Sequence, residues 1–170
     1  MERKDREKLP KRNGPYDLDS RSDFCFVAQS FQKHANIGTL LRCADAGKAR
    51  EVIVVGRKGW KKRGAVGGTV CVPYRHFRYP REAIAYLRDK GMTIVAVEKN
   101  ERSISLFECV YPPKPAFVLG NEVYGVYRDF LEAADLIVEI PMYGHIQSLN
   151  VAVSGAVVMY DYLQKKSRAL

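Results

Sequence analysis

Three short stretches of the sequence combine glycine with side chains that donate or accept hydrogen bonds. They are NIGTLLR at 36–42, LGNEVYG at 119–125 and IPMYGHIQSLN at 140–150. Each stretch follows an apolar run and leads into a helical pattern, which indicates a loop that opens a helix. Amide, carboxylate, guanidinium and hydroxyl groups gathered in such loops are suited to binding a polar ligand in a pocket.

The fingerprints of several other chemistries are absent from the sequence. Neither the dinucleotide pattern G-x-G-x-x-G nor the phosphate-binding pattern G-x-x-x-x-G-K-[ST] occurs, and GAVGG at 64–68 matches neither. Ser148 lies near His145, but the serine has no G-x-S-x-G elbow and no evident acid partner, which argues against a hydrolase. These absences leave binding and positioning groups as the chemistry of the three loops.

Cysteine usage and hydropathy indicate the setting of the protein. No cysteine pair or His/Cys cluster has zinc-site spacing, so we expect no metal and reduced thiols in a cytoplasmic protein. The four cysteines are Cys25, Cys43, Cys71 and Cys109. No run of 18 apolar residues is present, so we expect no membrane association.

The elements that position the three loops follow from hydropathy patterning. Strands are predicted at 24–29, 51–55, 69–74, 92–98, 115–120 and 136–141, and helices at 36–48, 81–90, 126–134 and 148–165. Apolar strands that alternate with helices predict an α/β fold, with a mostly parallel sheet covered by helices on both faces. Binding sites in such sheets lie at the carboxyl ends of the strands, where all three loops begin.

Positive charge is concentrated in one block of the sequence. The formal net charge is +9, and residues 52–81 hold eight basic side chains and no acidic one. Aromatic residues such as Trp60 and Tyr79 are interleaved with the cations. Cations hold phosphates while flat rings stack on bases, so the block predicts RNA binding. The RNA-binding candidates are Arg57, Lys58, Lys61, Lys62, Arg63, Arg75 and Arg78.

The three loops together resemble the three motifs of the SpoU (TrmH-like) family within the SPOUT methyltransferase superfamily. The matching patterns are N-x-G-x-x-x-R at 36–42, LG-x-E-x-x-G at 119–125 and IPM-x-G-x-x-x-SLNV at 140–151. They occur in the family's order, and the resemblance spans roughly residues 24–163. The N-terminus is mixed in charge and lacks an apolar core, so we expect a flexible basic arm at 1–20, followed by a single SPOUT domain at 21–170.

The resemblance implies a fold, a reaction and an assembly. The fold would contain a deep trefoil knot in its C-terminal half, and the protein would be a homodimer. The reaction would be transfer of a methyl group from S-adenosylmethionine to a ribose 2′-hydroxyl of RNA, with S-adenosylhomocysteine as the product. Such a transfer needs alignment of two substrates more than it needs a metal or a covalent nucleophile.

The motif positions supply the candidate site residues. The cofactor would lie against Leu119, Gly120, Asn121, Ile140, Met142, Gly144, Ser148 and Leu149, and the catalytic set would be Arg42, Asn36, Glu122, Ser148 and Asn150. We expect Arg42 to hold a phosphate beside the target ribose and to favour a developing alkoxide, because arginine stays protonated and is a poor base. Asn36 and Ser148 are also expected to cap their helices.

The substrate is left open by the sequence. The short N-terminal arm in place of an added RNA-binding domain favours tRNA over rRNA. A noncatalytic RNA-binding factor on the same fold is the alternative from another functional class, and the intact motif residues argue against it.

Overall fold

The computed structural model describes residues 21–29, 34–56 and 71–168, which form one parallel sheet with four helices. The strands are β1 (Cys25–Gln29), β2 (Val52–Val55), β3 (Tyr74–Phe77), β4 (Thr93–Val97), β5 (Ile104–Ser105), β6 (Pro115–Leu119) and β7 (Leu136–Glu139). The helices are α1 (His34–Ala46), α2 (Pro80–Asp89), α3 (Arg128–Ala133) and α4 (Val151–Arg168).

The seven strands lie in the order β3-β2-β1-β6-β4-β7-β5, and every pair of neighbours is parallel. The inner strands β1, β2 and β6 are buried along their whole length, which explains their continuous apolar runs. Because β6 pairs with both β1 and β4, the strands that precede the first two motif loops are neighbours at the centre of the sheet.

Helices cover both faces of the sheet, as the sequence predicts. Phe24, just before β1, and Phe26 and Ala28 within it point to one side, where they pack with residues of α1 and α4. Cys25 and Val27 point to the other side and pack with residues of α2 and α3. This alternation is the period-2 geometry of a strand, and it divides the core into two layers.

The predicted strand at 69–74 is wrong, since β3 is Tyr74–Phe77 and residues 69 and 70 lie outside the described residues. The prediction followed β-branched residues, whereas the strand is formed by YRHF. Among the described strands, β3 is an outer strand that pairs with β2 alone, and its side chains are partly exposed. The two-residue strand β5 was not predicted, because Ile104 and Ser105 are too short a run to show alternation.

Helices α1 and α4 begin at residues other than those predicted. Neither Asn36 nor Ser148 therefore has the predicted N-cap position. Helix α1 begins at His34, which places Asn36 inside the helix. Helix α4 begins at Val151, and the side chain of Asn150 accepts hydrogen bonds from the amides of Ala152 at 3.0 Å and Val153 at 3.3 Å. Asn150 is therefore the N-cap of α4, and Ser148 is not.

All four cysteines carry free thiols, and burial raises the pKa of Cys25 well above its ordinary value. Within 21–29, 34–56 and 71–168, no helix combines the length and hydropathy that crossing a membrane requires.

Candidate active site

The carboxyl ends of β6, β4 and β7 border a cleft of about 510 Å³, with α1 and the start of α4 on its rim. Most of the predicted site residues line it: Asn36, Leu119, Gly120, Asn121, Glu122, Ile140, Met142, Ser148, Leu149 and Asn150. The structure thus brings residues from all three motif loops into one concave site of the size that cofactors occupy.

Three motif side chains form a continuous hydrogen-bonded chain at the rim. The Nδ2 group of Asn36 donates to Oε1 of Glu122 at 2.6 Å, and its Oδ1 accepts from Nδ2 of Asn150 at 3.0 Å. Asn36 is 7% exposed, so these contacts replace water. Because Asn36 both donates and accepts, a single amide side chain fixes the second and third motif loops relative to α1.

The second motif loop is a tight turn that requires glycine at two positions. A Cβ atom on Gly120 would lie 2.4 Å from the carbonyl carbon of Gly125, so the two strands of the turn approach too closely for any side chain. Gly125 has a φ of +67°, in the left-handed region that glycine favours. Across the turn, the amides of Asn121 and Gly125 each donate to the other's carbonyl, at 2.8 and 3.0 Å.

The side chain of Asn121 fills the inside of this turn. Its Oδ1 accepts hydrogen bonds from the amides of Val123 at 2.9 Å and Tyr124 at 3.2 Å. The predicted cofactor residue Asn121 therefore has a structural task, and the groups it presents to the cleft are held rigidly.

Two buried or half-buried side chains hold the end of the same loop. Oε2 of Glu98, which follows β4, accepts from the amide of Val126 at 2.9 Å. Oε1 of Gln29, at the end of β1, accepts from the amide of Tyr127 at 2.9 Å, and its Nε2 donates to the carbonyl of Leu119 at 3.2 Å. Neighbouring strands on both sides of β6 thus clamp the loop that carries Glu122.

Two predicted site residues do not line the cleft of this chain. Arg42 is exposed on α1, six residues after Asn36, which puts it roughly 9 Å further along the helix axis and on another face. Gly144 is exposed, and a Cβ atom there would meet nothing within 4 Å. A residue with a side chain would therefore fit at this position without a steric clash.

The predicted RNA-binding residues divide into three groups. Arg57, Lys58, Lys61, Lys62 and Arg63 lie outside the described residues. Arg75 is engaged by the protein itself, because its Nε lies 3.3 Å from Oε2 of the buried Glu51 and its guanidinium lies 4.6 Å from the ring centre of Tyr86. Arg78 is exposed just beyond β3.

The further contacts of Glu51 indicate that its ion pair with Arg75 stabilises the fold. The hydroxyl of Tyr86 donates to Oε1 of Glu51 at 2.6 Å. Burial and this hydrogen bond to a carboxylate raise the pKa of Tyr86 to about 12. Arg75 neutralises a carboxylate that the fold has buried, which makes it a poor candidate for binding RNA.

Sequence reasoning missed the contribution of β4 to the cleft. Val97, Glu98 and Lys99 line it, together with Gly125, Gln147, Val151 and Ser154. The prediction followed loops rich in glycine and asparagine, and the residues after β4 have neither glycine nor a motif. The general rule that sites form at carboxyl ends of strands would have included them.

Comparisons with known proteins identify the family. The sequence profile of the SpoU rRNA Methylase family matches residues 23–160. The chain belongs to this family. Among its relatives, the tRNA (guanosine(18)-2′-O)-methyltransferase of Borreliella burgdorferi is 31% identical over 87% of this chain and 70% of the relative.

The names of two further SpoU relatives give tRNA as the substrate of one and 23S rRNA as the substrate of the other. The tRNA (guanosine(18)-2′-O)-methyltransferase of Escherichia coli is 29% identical over 86% of this chain. A 23S rRNA (guanosine-2′-O-)-methyltransferase of Neisseria meningitidis is 33% identical over 74% of this chain. The chain spans 66% of the length of the Escherichia coli relative and 52% of the Neisseria relative.

The SpoU fold is also found in solved structures. The TrmH/SpoU tRNA modifying enzyme of A. aeolicus superposes with a TM-score of 0.79 at 26% identity, over 89% of this chain and 80% of that one. The parallel sheet with helices on both faces is therefore the arrangement of a SpoU-family structure.

Proposed function

We propose that this chain transfers a methyl group from S-adenosylmethionine to a ribose 2′-hydroxyl of RNA, with tRNA as the favoured substrate. The observation that carries the proposal is the hydrogen-bonded chain of Asn36, Glu122 and Asn150, which joins the three family motifs at one cleft. Membership of the SpoU family supports the reaction. The names of the relatives in Borreliella and Escherichia support tRNA.

The cleft has the shape and chemistry to hold S-adenosylmethionine. Its volume of about 510 Å³ suits a nucleoside-sized ligand. Leu119, Ile140 and Met142 provide apolar contacts for a base, while the backbone groups of Gly120 and the 140–150 loop provide donors and acceptors. When bound, the sulfonium group supplies both the methyl group and its leaving group.

The protein's own residues would then align the RNA hydroxyl with the methyl group. Glu122, held by Asn36, keeps the second motif loop in place, and Asn150 fixes the start of α4 beside it. The guanidinium of Arg42 would bind the phosphate next to the target ribose. Its positive charge there would stabilise the negative charge that develops on the 2′-oxygen as the hydroxyl proton passes to water.

The proposed assembly is a homodimer, with a deep trefoil knot in the C-terminal half of the chain. Leu149, two residues before α4, is 41% exposed, and Val153 and Tyr160 on the helix are 45% and 58% exposed. Apolar side chains at this spacing on a helix are typical of a face that packs on another chain. A partner covering this face would lie beside the cleft, which Leu149 also lines. Arg42 does not line the cleft of its own chain, so the Arg42 proposed to act there would be the partner's.

The test uses purified protein, tritiated S-adenosylmethionine, and separate tRNA and rRNA pools from a strain that lacks this gene. We expect label in tRNA within a nuclease-resistant dinucleotide, which marks a 2′-O-methyl ribose. Label in rRNA alone would retain the reaction and replace the substrate. Cofactor binding without label in either pool would favour a noncatalytic RNA-binding role and overturn the proposal.

A further inference from the structure

A second polar surface lies at the same edge of the sheet as the cleft, just beyond the outer strand β3. It consists of Arg78, Tyr79 and Arg81, which we name the arginine–tyrosine patch. The guanidinium carbons of Arg78 and Arg81 lie 5.5 and 5.3 Å from the ring centre of Tyr79, and the tyrosine is 44% exposed. Contacts of this kind between a cation and a ring hold both guanidinium groups near one another at the surface.

The backbone of the patch is fixed by the start of α2. Oε2 of Glu82 accepts hydrogen bonds from the amides of Arg78 at 3.1 Å and Tyr79 at 3.2 Å. Pro80 is the first residue of the helix, and its ring fixes the chain direction there. A surface that is already ordered loses less conformational entropy when it binds a ligand.

The two arginines differ from Arg75 in how their charge is used. Arg75 is paired with Glu51, whereas no ion pair among the residues that the structure describes involves the guanidinium of Arg78 or Arg81. Both side chains are exposed. The patch therefore presents two guanidinium groups with no ion-pair partner among the described residues, and each has the planar fork that matches phosphate oxygens.

The register of the sheet places the patch relative to the cleft. Phe77 is in register with Val55, and Val55 is in register with Gln29, so the chain leaves β3 at the level where β1 ends. Three strand spacings separate β3 from β6, which is roughly 14 Å. A short run of single-stranded RNA covers this distance along the edge.

We propose that the arginine–tyrosine patch binds backbone phosphates of the substrate RNA beside the nucleotide that enters the cleft. The inference rests on the proposed function, since it assigns a surface to the same RNA. Phosphate contacts position a nucleic acid without reading its sequence. Tyr79 acts by holding the guanidinium groups, and the arginines make the contacts.

The test measures RNA affinity by fluorescence anisotropy with a labelled tRNA transcript, between about 50 and 200 mM salt. The charge variant is R78Q/R81Q, and the ring variants are Tyr79→Leu and Tyr79→Phe. The matched control is Arg50→Gln, an exposed arginine that precedes β2 at the opposite edge of the sheet. Titration calorimetry with S-adenosylmethionine measures cofactor affinity for every variant.

We expect R78Q/R81Q to weaken RNA binding and to reduce the salt slope by about one per arginine, at unchanged cofactor affinity. Tyr79→Leu should weaken binding with the slope retained, because both charges remain, and Tyr79→Phe should recover the loss by restoring the ring. Arg50→Gln should bind RNA as the unaltered protein does.

An unchanged slope in R78Q/R81Q would overturn the patch while leaving the proposed function intact, provided that the unaltered protein methylates RNA. The patch would also be overturned if R78Q/R81Q and Arg50→Gln lost the same RNA-binding free energy per positive charge removed. Such a result would indicate nonspecific electrostatic attraction. Failure of the unaltered protein to bind any RNA would overturn the patch and the proposed function together.

Discussion

The side chains of Asn36 and Asn150 share a hydrogen bond of 3.0 Å across 114 positions of sequence. Asn36 lies within the first helix of the described chain, and Asn150 caps the last. The bond therefore ties the two helices together at the point where both meet the cleft. Since Asn36 also donates to Glu122, its amide group orients all three motif loops.

Exchanging the amide of Asn36 and the carboxylate of Glu122 tests whether their hydrogen bond orients the motif loops. Asn36→Asp places two carboxylates against each other where the bond is 2.6 Å, and we expect a loss of about 1–3 kcal/mol in unfolding free energy, with loss of methyl transfer. Adding Glu122→Gln restores one donor and one acceptor, so N36D/E122Q should recover most of the stability. Urea unfolding of the single and double variants gives the coupling free energy.

The activity of the double variant separates two roles of Glu122. If the carboxylate acts only by orienting Asn36, methyl transfer returns along with stability. Stability without methyl transfer would show that the negative charge of Glu122 itself is needed. Additive losses in the double variant would contradict the hydrogen-bonded pair.

Gly125→Ala is expected to damage cofactor binding through Glu98. The added Cβ atom would lie 2.3 Å from Oε2 of Glu98, which must move and release the amide of Val126. Gly91→Ala is the matched control, because its φ of +62° is similar and nothing lies within 4 Å of the added atom. Both should lose about 1–2 kcal/mol of stability from backbone strain.

Only Gly125→Ala should also weaken S-adenosylmethionine binding, by tenfold or more on an order-of-magnitude scale, since a loss of about 1.4 kcal/mol has that effect. Titration calorimetry on both variants measures the difference. Similar cofactor affinities in the two variants would show that the Glu98 contact does not shape the cleft.

Arg42→Lys is expected to leave cofactor affinity unchanged and to remove most of the turnover. Lysine keeps the charge but lacks the planar fork that binds two phosphate oxygens at once. Single-turnover methyl transfer and calorimetry measure the two properties separately. Turnover near that of the unaltered protein would exclude a catalytic role for Arg42.

Acid should selectively remove the contribution of the Arg88–Asp135 pair, which joins α2 to the start of β7. Burial alone would raise the pKa of Asp135, but hydrogen bonds from Arg88 at 2.7 and 3.0 Å and from the amide of Ile94 lower it. The lowered pKa stabilises the fold above the ordinary aspartate value of about 3.9, and this stabilisation is lost as pH falls through the lowered value.

Asp135→Asn measures this contribution, because it removes the charge and keeps an acceptor for the amide of Ile94. We expect the variant to be less stable at pH 7 by up to about 1 kcal/mol, as is usual for a partly exposed pair. The difference should shrink toward pH 3 in urea unfolding. A difference that is constant with pH would assign the effect to packing.

The predictable part of the fold is the part governed by local pattern. Continuous apolar runs specified the buried strands β1, β2 and β6, and the helical pattern at 81–90 specified α2, in which Ala83 and Leu87 are buried. The bounds of the outer strand β3 were not predicted, because its side chains are only partly buried and show no continuous apolar run. In this chain, the strands that were read directly from continuous apolar runs are those that are buried along their whole length.

The predictable part of the site is the part that lies within the motifs. Asn36, Glu122 and Asn150 were singled out, but their mutual hydrogen bonds depend on strand order, which local sequence does not encode. Glu98 was missed because the residues after β4 carry neither glycine nor a family motif. Its strand lies between β6 and β7 in the sheet although it precedes both in the chain.

That strand order has a consequence for the newly made chain. β4 pairs only with β6 and β7, and both are synthesised after it, so Ile94, Val95 and Ala96 leave the ribosome before either neighbour exists. Synthesis at about 5–20 residues per second leaves this apolar strand unpaired for seconds. A nascent chain arrested between β4 and β6 would expose this apolar strand to aggregation and to capture by chaperones.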